Sequence, residues 1–148
     1  LKRYPHKSAV VSEVSDDYIK EHFEVRILLE CKALEKAIKN SENAEELKEI
    51  NEEYKNAILN NDMKKAKTLN ENFHITIWDL ADNKKEKNLL SQLWNGLSHI
   101  SIRDNIPFEE HQDIIDAFAN KDIEKAKKAM EKHLLNSMNN ILQDVQLK

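Results

Sequence analysis

Six histidines lie along the 148-residue chain, and three sit where a helical stripe asks for an apolar side chain. His111 falls within the stripe Phe108, Ile115, Phe118. His133 lies at the edge of the stripe Ile123, Ala126, Met130, Leu134, Ser137, Ile141. His74 neighbours Phe73 and Ile77, with Asn70 one turn earlier, so Asn70 and His74 project from one helix face. An imidazole buried without a partner costs roughly 1–3 kcal/mol. Three of them on three helices suit a metal site built from converging side chains. Imidazole with an adjacent oxygen ligand suits zinc, nickel, copper or iron. The plainer alternative is three core histidines, each satisfied by a hydrogen bond. Arg26 and Glu30 are also one turn apart. They read either as an intrahelical ion pair of about 0.3–0.5 kcal/mol, or as an arginine fork aimed into a pocket to grip a carboxylate. His6 precedes the helical region, His99 shares a solvated face with Gln92 and Asn95, and His22 lies on the flank of the first helix with no role.

The elements that must carry these residues are helices. One glycine and two prolines are too few for a fold of strands and turns, and Gly96 alone cannot make a phosphate-binding loop. Cys31, the single cysteine, excludes an intrachain disulfide and a cysteine zinc finger. No apolar run approaches the ~20 residues of a membrane span. A net charge of -4 argues against nucleic-acid binding through bulk electrostatics. Hydrophobic periodicity and capping residues predict six helices, at about 16–39 (capped by Ser15), 42–60 (capped by Ser41), 63–81, 84–103, 107–119 and 122–143. Short loops then give an all-α antiparallel bundle in a cytoplasmic protein. Residues 1–15 differ in character and read as the end of a preceding unit; residues 16–148 form the bundle. Phe73, Trp78, Trp94 and Phe118 read as core fillers before cavity walls.

In order along the chain, Phe23–Glu30, Leu69–His74, Ala81–Asn83, Glu109–Ala117 and Ala129–Leu134 resemble the FCD domain. This is the C-terminal sensor domain of FadR-type regulators in the GntR transcription-factor family. The resemblance implies a bundle enclosing a cavity, with a divalent metal held by Asn70, His74, His111 and His133. Zinc is the first choice, and nickel, manganese or iron are alternatives. It implies contact between Arg26 and an anionic effector, with Asn136 lining the same cavity. Arg3, Pro5, Lys7, Ala9 and Val11 resemble the last wing strand and linker of a winged helix-turn-helix domain, Ser8 standing at the usual wing glycine. Operator DNA would then be read only through that absent N-terminal domain, in a homodimer facing paired half-sites.

Where many relatives carry Asp, this chain has Asn70, a neutral and weaker ligand. The expected consequence is lower bare metal affinity and stronger attraction for an anionic effector. Metal loss is expected below about pH 6, because each imidazole must be neutral to coordinate. The expected role is sensing, not catalysis. Glu71 and His74 make the one Glu-x-x-His, whereas a di-iron bundle needs two. A helical-bundle metalloenzyme and a metal-free interaction bundle are the alternative readings.

Overall fold

The computed structural model describes residues 14–97 and 107–146. They form six helices: α1 (Asp16–Asn40), α2 (Glu45–Leu59), α3 (Met63–Ala81), α4 (Lys84–Leu97), α5 (Phe108–Ala119) and α6 (Ile123–Gln146). The expected wing and linker residues 1–13, His6, His99 and the predicted continuation of the fourth helix to Arg103 lie outside the described residues. Among the described residues no helix is long and apolar enough to cross a membrane.

Local chemistry explains most boundaries. The Ser15 side chain accepts from the Tyr18 N–H at 3.0 Å and starts α1. Asp62 and Asp122 do the same for Lys65 and Lys125 at the starts of α3 and α6. The second helix begins at Glu45, not at Glu42. Asn43, not Ser41, accepts from the Glu45 N–H, and Ala44 is buried at the junction. Ser41 instead closes α1, its N–H reaching the Ile38 carbonyl.

The breaks after α2, α3 and α5 use left-handed residues other than glycine: Asn61, Asp82 and Lys121. Asn and Asp tolerate this region through local hydrogen bonding. Lys121 does so while its Nζ reaches the Ile38 and Ser41 carbonyls, satisfying the end of α1.

α1 packs between α3 and α6 and also meets α4, while α2 packs on α3 and α5. The buried α1 side chains Ile19, Phe23, Leu34 and Ile38 anchor the main core. That core continues through Phe73 and Ile77 of α3, Ile114, Ile115 and Phe118 of α5, and Met130 and Leu134 of α6. Tyr54, Ala57, Ala66 and Leu69 make a smaller cluster between α2 and α3. The antiparallel bundle thus turns the polar positions of α1, α3, α5 and α6 toward one interior.

Candidate metal centre

His74, His111 and His133 are buried, at 0%, 0% and 1% exposure. One ring nitrogen from each lies within 4.8 Å of the others. The rings of His74 and His133 stack 5.3 Å apart, and that of His111 stands edge-on to His133 at 5.2 Å. Asn70 faces the same point, its Oδ1 2.9 Å from His111 Nε2. The three histidines singled out from helical stripes therefore meet, with Asn70, one turn before His74, beside them.

Their outer partners fix the tautomers. His74 Nδ1 lies 3.0 Å from Glu30 Oε1. Burial alone would raise the Glu30 carboxyl, but His74, Arg26 and Trp78 outweigh it and hold it down at about 2. An ionised carboxylate only accepts, so His74 Nδ1–H donates and Nε2 carries the lone pair. His133 Nδ1 stands 2.7 Å from Glu110 Oε1. Burial again opposes ionisation of Glu110, and its hydrogen bonds from His133 and Asn136 win. His133 Nε2 therefore also carries a lone pair, 3.2 Å from His74 Nε2. Two lone pairs at that distance repel unless a proton or a metal cation lies with them.

His111 repeats the pattern. Its Nδ1 faces Asn51 Oδ1 at 3.2 Å. The Asn51 amide is oriented by donating to the Phe108 carbonyl and to Gln112. Its oxygen therefore accepts from His111, and His111 Nε2 turns its lone pair to Asn70 Oδ1, acceptor against acceptor. A cation between them, or rotation of the Asn70 amide, relieves the contact. Three imidazole nitrogens and one carbonyl oxygen thus turn lone pairs inward, and each ring is held from behind by an oxygen, as metal-ligating histidines are. Ligand atoms about 2.0–2.1 Å from a tetrahedral zinc ion stand roughly 3.3–3.4 Å apart. The 3.2 Å contact lies close to that, the 2.9 Å contact is shorter, and the three imidazole nitrogens lie within 4.8 Å of one another, so seating an ion takes small shifts of these side chains. The donor set fits a divalent metal.

Burial favours the neutral, ligating form of His74 and His111. Burial lowers the proton affinity of His74, with Glu30 opposing the fall. Burial lowers that of His111 well below the ordinary histidine value, and His133 and His74 add to the effect.

Arg26 makes the intrahelical ion pair that its spacing allows. Its Nε pairs with Glu30 Oε2 at 3.0 Å within the bundle, and its guanidinium lies 4.5 Å over the Trp94 ring. Trp94 in turn stands 5.1 Å from His74. Asn136 sits one turn from His133, with its amide donating to Glu110 Oε2 at 2.8 Å. It orients the carboxylate behind a candidate ligand. Trp78 is buried, and its Nε1–H donates to Glu30 at 2.8 Å.

Sequence reasoning did not single out Glu30, Glu110 or Asn51 as ring partners. Glu30 and Asn51 carry a detectable signal, since each is polar on the inward face of its helix and ends buried. Glu110 has none beyond its place next to His111. His22, on the flank of the first helix by its spacing, is buried at 8% exposure.

Comparison with known proteins agrees with this architecture. The FCD domain model matches residues 21–136. The metal-free FCD domain of TM0439, a candidate transcriptional regulator, has a similar structure: TM-score 0.79 at 22% identity, over 90% of this chain and 98% of that one. No curated protein matches the chain. With the family match spanning most of the sequence, the chain belongs to the FCD domain family.

Proposed function

We propose that this domain senses a small organic acid through a bound divalent metal, as the effector domain of a FadR-type GntR transcriptional regulator. The observation that carries the reading is the inward convergence of lone pairs from His74, His111, His133 and Asn70, each ring backed by an oxygen. A metal held there, with zinc the best match to a three-imidazole set, supplies a Lewis-acidic position for a carboxylate oxygen.

The protein's own groups do the rest. Glu30 fixes the His74 tautomer and holds Arg26 by Nε. The outer Nη edge of Arg26 is then the fork that would take a carboxylate in two parallel hydrogen bonds. Trp94, packed against both His74 and Arg26, forms the wall joining the two anchors.

All four ligands are neutral, which leaves the ion's charge intact in the inner shell. Glu30 and Glu110 lie one layer out, and Arg26 offsets part of Glu30. This balance supports metal retention and still favours an anionic guest. In the complete regulator, a cytoplasmic homodimer in this reading, ligand-dependent preference between two domain arrangements would shift how paired winged helices meet operator half-sites.

Elemental analysis of protein purified without chelators or a histidine tag tests the reading, together with native mass spectrometry. The expected result is one metal per chain, lost in His74→Ala and His133→Ala. Protein that is folded, metal-free and unable to take up zinc, nickel, manganese or iron at micromolar concentration would refute it.

A further inference from the structure

We infer that His22 is a second anchor for the effector beside Arg26, so that the effector is an organic acid with a further oxygen function, hydroxyl or carboxylate, beyond the group nearest the metal. The inference rests on the effector reading above. His22 is 8% exposed, and its Nε2 has no hydrogen-bond partner among the described residues. A buried polar atom left unpaired weakens the fold, and its persistence calls for an explanation.

His22, Arg26 and Glu30 occupy successive turns of α1, all buried. Glu30 ties the lower end of this row to His74. The row therefore leads away from the metal centre, its Cα atoms spanning about 12 Å at 1.5 Å per residue. Arg26 in the middle is steadied by Trp94 at 4.5 Å and Phe23 at 5.4 Å. The His22 ring stands edge-on to the same Phe23.

Burial and the nearby Arg26 charge hold the His22 pKa down at about 4. The ring is thus neutral at pH 7 and offers an N–H, not a charge, to an oxygen atom. His22 and Arg26 stand one helical turn apart, about 6 Å along the axis, and with the metal centre beyond Arg26 this spread of anchors matches an acid of about four to six carbons better than acetate. Such an acid places one carboxylate near the metal and Arg26, and its distal oxygen at His22.

The test is calorimetry on the zinc-loaded chain with acetate, succinate, malate and citrate, in wild type, His22→Phe, His22→Leu and His22→Gln. Wild type is expected to bind at least one difunctional acid ten-fold or more tightly than acetate. The two apolar variants should lose that preference, keep one zinc per chain and melt at a higher temperature, because an unpaired polar atom has left the core. His22→Gln, which keeps a donor, should retain part of the preference. Apolar variants that keep the preference, or that melt lower with unchanged binding, overturn the inference by making His22 structural. Acetate bound as tightly as the longer acids by wild type overturns it alone. Wild type that binds none of the four overturns both it and the proposed function.

Discussion

Glu30→Gln separates the two tasks assigned to one buried carboxylate. Glu30 is fully buried and faces three donors: His74 Nδ1–H, Trp78 Nε1–H and Arg26 Nε–H. The substituted amide keeps one oxygen. Turned toward His74 and Trp78, it serves both and sets its NH2 against Arg26. Turned the other way, it meets Arg26 but presents N–H to His74, driving that ring to the tautomer with Nε2 protonated and unable to ligate. The first arrangement satisfies more donors, and it leaves a buried guanidinium without a counter-charge.

Removing one member of a buried pair costs about 3–5 kcal/mol. The retained hydrogen bonds place the expected loss near the lower end, about 3 kcal/mol. For a domain of this size that is a fall in melting midpoint of roughly 10 °C. Loss of the charge behind a ligating histidine should weaken metal binding about 10–100-fold, or roughly 1.4–2.7 kcal/mol. Urea denaturation in EDTA reads the first quantity, with Trp78 and Trp94 as fluorophores. Zinc titration against a competing chelator reads the second. A variant with wild-type midpoint and wild-type zinc affinity refutes the reasoning. Lower stability with unchanged zinc affinity would confine Glu30 to holding Arg26.

Other outcomes follow from the same geometry. Asn70→Asp should bind zinc at least ten-fold more tightly and show less gain in zinc affinity when a carboxylate is added; equal zinc affinity in the two proteins counts against Asn70 as a ligand. Glu110→Gln should weaken zinc about 10–100-fold through His133, and Asn136→Ala less, because Asn136 acts only by orienting Glu110; the same chelator competition measures both. In EDTA the melting midpoint should fall as pH drops below about 6.5. His22, His74 and His111 have lowered folded pKa values, so the unfolded chain binds more protons there and their contribution is lost on acidification. Glu30 and Glu110, also lowered, add a second loss below about 4.5; a midpoint flat from pH 7 to 5 in scanning fluorimetry contradicts this. Because burial lowers the proton affinity of His74 and His111, metal release should occur at a lower pH than the pH 6 expected for ordinary histidines.

The sequence determined the parts that depend on local periodicity. Apolar spacing marks six helices, the Ser15 cap marks the start of the first, and stripe positions mark His74, His111 and His133 as inward-facing, with Asn70 on the same face as His74. Each of these follows from 3.6 residues per turn and from backbone groups a few residues away. Where a competing local choice existed, as between Ser41 and Asn43 before α2, burial of Ala44 accompanied a start at Glu45. The tertiary structure alone decided which atoms meet. His74 finds Glu30 across 44 residues of chain, and His133 across 59. Those contacts depend on how each helix is rotated about its axis, which packing of the whole core settles. Tautomers, the direction of the lone pairs, the wall formed by Trp94 and the burial of His22 all follow from those rotations.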